Sequence, residues 1–67
     1  MTVEEKVAKT IKEKGMTLAA VSRKTGIGYQ KLQSSMKGRR KLKPDEYLEL
    51  CYLLGKDPRE LARDTMQ

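Results

Sequence analysis

The chain has no histidine, no tryptophan and no phenylalanine, and its 67 residues include one cysteine and two prolines. Without histidine, Cys51 has no partners for a zinc site, and as a lone cysteine it has none for an internal disulfide. No histidine is available as a general acid or base, and the carboxylates fall at helix starts and on exposed faces. A core built from so short a chain leaves little room for a pocket. No enzymatic activity, cofactor, metal or small-molecule ligand is therefore expected. Apolar runs are too short for a membrane span or a signal peptide, so no membrane partner is expected either. A single unpaired thiol suits a reducing cytoplasm.

The most informative absence is local. Between Lys14 and Pro44 there is no Asp or Glu, yet the stretch carries Lys14, Arg23, Lys24, Lys31, Lys37, Arg39, Arg40, Lys41 and Lys43. Residues 1–13 balance Lys6, Lys9 and Lys12 against Glu4, Glu5 and Glu13, and residues 45–67 carry an acidic excess. The net charge of +6 thus sits entirely in the middle of the chain. A uniformly solvated surface would mix the signs. This segregation points to one face built for a polyanion.

Caps and periodicity predict one domain over residues 1–67, all-α, with five helices. Thr2-Val3-Glu4-Glu5 reads as a capping box, followed by Val3, Val7 and Ile11 on one stripe of a helix that ends at Gly15. Thr17 opens a second helix with Leu18, Ala20 and Val21 inward, and Thr25-Gly26 closes it. Ile27 is an apolar plug in the turn, and Gly28 stands where a side-chain cap is expected. A third helix, about 29–37, buries Leu32 and Met36 and ends at Gly38. Pro44 suits the first turn of a fourth helix that stops at Gly55, and Asp57-Pro58-Arg59-Glu60 reads as the capped start of a fifth. Nothing alternates at period two.

Two helices joined by a short turn containing glycine make a helix-turn-helix, here about residues 17–37. In such a unit the early residues of the second helix reach base edges while the first helix crosses the backbone. Those early residues are Tyr29, Gln30, Gln33 and Ser34. Glutamine pairs bidentately with adenine and serine contacts several bases, so these four are the candidate base contacts. Lys31 and Lys37, the basic loop Arg39, Arg40, Lys41 and Lys43, and the helix N-termini at Thr17 and Gly28 are the candidate phosphate contacts. Leu42 inside the loop is expected to anchor it to the core. Arg23 and Lys24 are expected only to complement the dipole at the end of their helix.

The stretch TLAAVSRKTGIGYQKLQSSMKGRRKL (residues 17–42) resembles the helix-turn-helix of the Cro/phage-repressor (XRE-like) family of bacterial and phage DNA-binding domains. The matching parts are Thr17-Leu18, Val21, Ser22, Thr25-Gly26-Ile27, Leu32, Met36 and Gly38. The tail Leu54–Leu61, LGKDPREL, resembles the family's usual ending. The resemblance covers roughly residues 3–64. It implies five helices in a lambda-repressor-like arrangement, the third placed in the major groove of double-stranded DNA, and a cytoplasmic, nucleoid-associated transcriptional repressor of bacterial or phage type. Two residues depart from the family pattern: Leu18 replaces a polar phosphate-gripping residue, and Gly28 replaces a Ser or Thr cap.

The fourth helix, YLELCYLL from Tyr47 to Leu54, is more apolar than one buried stripe requires. Tyr47, Leu50, Cys51 and Leu54 fill the inward stripe, which leaves Leu48, Tyr52 and Leu53 over. A symmetric homodimer through the fourth and fifth helices is expected, with Leu53, Pro58 and Leu61 as candidate contacts. Its recognition helices would then meet a roughly palindromic site. The alternative reading is a protein-interaction module of antitoxin or anti-repressor type that uses the same fold to bind a protein.

Overall fold

The computed structural model describes residues 2–65, with the side chains of Asp64 and Thr65 excluded. Its helices are α1 (Val3–Glu13), α2 (Leu18–Thr25), α3 (Tyr29–Met36), α4 (Pro44–Leu54) and α5 (Pro58–Thr65). All five predicted helices are present, and no strand occurs among the described residues.

The starts are set by local chemistry. Thr2 Oγ1 accepts the Glu5 amide at 3.2 Å, and Glu5 Oε1 accepts the Thr2 amide at 3.1 Å, which completes the capping box of α1. The Thr2 amide and, secondarily, the Thr2 hydroxyl, which also donates to Glu5 Oε1 at 3.1 Å, hold the Glu5 carboxyl below its ordinary range. Thr17 Oγ1 caps α2 by accepting the Ala20 amide at 3.1 Å. Pro44 occupies the first turn of α4, and Glu46 Oε1 accepts the Lys43 amide at 3.0 Å. Asp57 Oδ1 caps α5 through the Arg59 amide at 2.8 Å, whereas the Glu60 amide goes to the Asp57 carbonyl at 3.0 Å. Helix α1 runs to Glu13 and is ended by Gly15 as expected: at φ 68° it lets the Met16 N–H reach back to the Ile11 carbonyl at 3.2 Å.

Each helix contributes apolar side chains to one core. Val7 and Ile11 come from α1, Val21 from α2 and Leu32 from α3; Leu50, Cys51 and Leu54 come from α4 and Leu61 from α5. Burying a side chain of this kind stabilises the fold by about 1.5–3 kcal/mol. The predicted inward stripe of α4 is confirmed for Leu50, Cys51 and Leu54, all essentially inaccessible, while Tyr47 is half-buried at its edge. Among the described residues Thr10 is the one buried threonine, and its hydroxyl is satisfied by donating to the Lys6 carbonyl at 2.9 Å.

The α4–α5 junction is tied by Tyr47, whose hydroxyl donates to the Pro58 carbonyl. Burial, with the neighbouring Cys51 thiol, pushes the Tyr47 phenol up to about 12. Burial likewise pushes the Cys51 thiol up, so it stays protonated and acts as a small core residue rather than a nucleophile.

Candidate nucleic-acid interface

The turn between α2 and α3 is fastened by short side chains. Gly26 adopts φ 79°, a left-handed conformation that glycine enters without strain, and its amide closes α2 on the Ser22 carbonyl at 2.9 Å. Ser22 Oγ donates to the Ile27 carbonyl at 2.6 Å, and Thr25 Oγ1 donates to Val21 O at 2.8 Å while accepting the Ile27 amide at 3.3 Å. Ile27 plugs into the core at 8% exposure, as its sequence position predicts. With its backbone bonded on both sides and its side chain buried, the turn holds α3 at a fixed angle to α2.

Gly28 precedes α3 at φ −55° and ψ 139°, with no side chain to cap the helix. A Cβ placed there meets nothing within 4 Å. Gly28→Ser is expected to raise stability by about 0.5 kcal/mol, by supplying a cap and narrowing the unfolded ensemble. In a domain this small that moves Tm by roughly 2–4 °C. An unchanged or lower melting temperature would show that the hydroxyl does not reach the helix amides.

Along α3, Leu32 and Ser35 are fully buried and Met36 packs on the core. At 100° per residue the opposite side carries Gln30, Gln33, Ser34 and Lys37, with Tyr29 at one edge. Gln30 and Lys37 are exposed, Tyr29 is 46% exposed, and Gln33 and Ser34 are half-buried. All four predicted base-contact side chains therefore share one side of one helix, with Gln30 the most outward of the two glutamines. Neither α2 nor α3 has an acidic residue in its first turn, so the positive ends of both helix dipoles at Thr17 and Gly28 are left uncompensated by their own helices.

The basic loop leaves α3 through a tight stop. Gly38 takes φ 78°, its amide reaches the Ser35 carbonyl at 3.0 Å, and the Arg39 amide reaches Ser34 O at 2.9 Å. Leu42 packs against the core as expected, and its amide donates to Glu4 Oε2 at 2.9 Å. Arg39, Lys41 and Lys43 remain exposed.

Three predicted contacts stand differently in the folded chain. Arg40 is turned inward onto Glu46 and Ser35, so the guanidinium expected to grip phosphate is already occupied. That pairing, together with the Lys43 amide, holds the Glu46 carboxyl below its ordinary range. Lys31 is exposed but lies on the flank of α3, lining a shallow groove with Gly28, Asp45, Glu46 and Glu49. The anion-free stretch of sequence is thus not anion-free in space, because α4 doubles back and sets its acidic first turns beside α3. Leu61, expected at a dimer contact, is 3% exposed within the core of its own chain and has almost no surface to offer. Leu53 and Pro58 are half-buried. The large apolar side chains left outside on α4 are Leu48, 54% exposed, and Tyr52, 89% exposed.

Among the described residues no helix is long and apolar enough to cross a membrane. Comparison with curated proteins and with solved structures gives no match. The family model for the Cro/C1-type HTH DNA-binding domain, in contrast, matches residues 6–65, from the first half of α1 to the end of α5. With a fastened turn, a helix that turns its polar side outward and a cationic loop after it, the chain belongs to the Cro/C1-type helix-turn-helix DNA-binding domains.

Proposed function

We propose that the protein is a sequence-specific transcriptional repressor that seats α3 in the major groove of double-stranded DNA. The observation that carries this reading is the polar side of α3, where Gln30, Gln33 and Ser34 stand together away from buried Leu32, with Tyr29 at their edge. Gln30 reads adenine through its amide, and Ser34 and Gln33 add contacts deeper on the same side. Lys37, Arg39, Lys41 and Lys43 neutralise phosphates around that helix, and the helix ends at Thr17 and Gly28 add backbone donors. Repression needs only occupancy of a site that the transcription machinery must also use, and the protein acts in the cytoplasm on the nucleoid.

The working unit is a symmetric dimer. Its contact is centred on exposed Leu48 and Tyr52 of α4, with Leu53 and Pro58 at the margin. Selection of bound fragments from random duplex DNA in moderate salt tests both parts. The expected outcome is a roughly palindromic motif with half-sites about one helical turn, ~34 Å, apart. A pool that never enriches would end the sequence-specific reading, and a single unpaired half-site would end the dimer.

A further inference from the structure

Arg40 lies in the most cationic stretch of the chain, but its guanidinium is spent inside the fold. Nη1 donates to Glu46 Oε1 at 3.0 Å and to Ser35 Oγ at 3.1 Å, and Nη2 donates to Glu46 Oε2 at 2.9 Å. The Arg40 and Glu46 side chains keep only 23% and 13% of their exposure. Ser35 is fully buried on the inner side of α3, and Glu46 sits in the first turn of α4, where Oε1 also accepts the Lys43 amide at 3.0 Å. A single side chain thus joins the inner side of α3, the loop that leaves it and the start of α4.

Helix α3 has need of such a tie. It spans eight residues, has no side-chain cap, and inserts one large, fully buried apolar side chain, Leu32, into the core. Leu32 fixes the depth of the helix and the bonded α2–α3 turn fixes its first end, which leaves the last turn to be held by Met36 against the core and by the bond to Ser35. A planar guanidinium held at both oxygens of a carboxylate has a defined orientation, and its bond to Ser35 carries that orientation to the next turn of α3.

We infer that Arg40 is a positioning residue for sequence recognition, bracing α3 against α4 and setting the angle at which Gln30, Gln33 and Ser34 meet the base pairs, rather than a phosphate contact. The inference rests on the reading of α3 as the base-reading helix. It assigns specificity to a side chain that touches no base, and it explains why a cation from the basic loop is paired away from solvent.

The test compares Arg40→Ala, Arg40→Lys and Glu46→Gln in the full chain, with affinities for the selected site and for random duplex measured across a salt series. Arg40→Ala is expected to lose about tenfold on the selected site, with affinity for random duplex and the salt slope unchanged. Arg40→Lys is expected to show the same selective loss, because an ammonium cannot span both Glu46 oxygens and Ser35 together. Glu46→Gln removes an anion from the DNA side of the molecule, yet selective loss is expected here too.

A phosphate contact reverses each result. Arg40→Ala would then weaken every sequence and lower the salt slope by about one. Arg40→Lys would keep most of the affinity, and Glu46→Gln would bind as well or better. That pattern overturns the inference. Should Arg40→Ala not fold, Glu46→Gln carries the test, since glutamine keeps the volume and an acceptor for the Lys43 amide.

Should the wild type prefer no site, the proposed function fails, but the brace remains testable by amide hydrogen exchange. Exchange at Leu32 and Ser35 about tenfold faster in Glu46→Gln would support the brace, and unchanged exchange would remove it.

Discussion

Leu32→Ala is expected to cost about 2–5 kcal/mol, enough to leave the domain largely unfolded at room temperature. Leu32 is fully buried at the centre of α3 and is the one fully buried apolar side chain of that helix. The truncation loses the transfer free energy of the side chain and leaves a cavity in the core cluster that Leu32 shares with Val21 and Leu50. Two features limit relaxation into that cavity. The α2–α3 turn is bonded at Ser22 and Thr25, and the far end of α3 is held through Ser35. A single core in a chain this short rarely supplies more than about 3–5 kcal/mol in total, so the loss is close to the whole. Urea unfolding followed by far-ultraviolet circular dichroism measures it. A loss below about 1 kcal/mol would mean that α3 is held to the body by something other than Leu32.

Gln30→Ala is expected to act on binding alone. The Gln30 side chain is exposed and makes no hydrogen bond among the described residues, so its removal should leave the unfolding curve within about 0.5 kcal/mol of the wild type. On the selected site the loss should be about 1–3 kcal/mol, roughly 5- to 150-fold, because a glutamine amide both donates to and accepts from one adenine edge. Affinity for random duplex should stay where it was, since counterion release by the lysines and arginines is untouched. The motif recovered from random DNA by the variant should lose preference at one position of each half-site. An equal loss on specific and random duplex would take Gln30 out of base reading.

Much of the fold was legible because its signals are short-ranged. Thr2 with Glu5, Thr17, and Pro44 ahead of Asp45 each mark a helix start within four residues of chain, and Gly26, Gly38 and Gly55 mark ends. Spacing alone separated Leu50, Cys51 and Leu54 from Leu48 and Tyr52 on α4. The candidate site was legible to the extent that helical periodicity decides it, which places Tyr29, Gln30, Gln33 and Ser34 on one side of α3. What could not be read was which charges meet across the fold. Counting acids along the chain stops at Pro44, whereas Glu46 lies six residues from Arg40 and folds directly onto it. Asp45 and Glu49 approach Gly28 and Lys31 only because α4 returns past the start of α3. The same holds for Leu61, whose place opposite α1 depends on how α5 closes the bundle rather than on its own helix pattern.

The loop after α3 has its backbone secured twice, with the Leu42 amide on Glu4 and the Lys43 amide on Glu46. Two carboxylates, one from α1 and one from the start of α4, hold a segment whose own side chains are nearly all cationic. A polyanion arriving at Arg39, Lys41 and Lys43 therefore meets charges mounted on a path that is already set. Little chain entropy remains to be surrendered on contact, so encounter and docking can proceed as the meeting of two rigid bodies, with association steered by charge and not delayed by ordering.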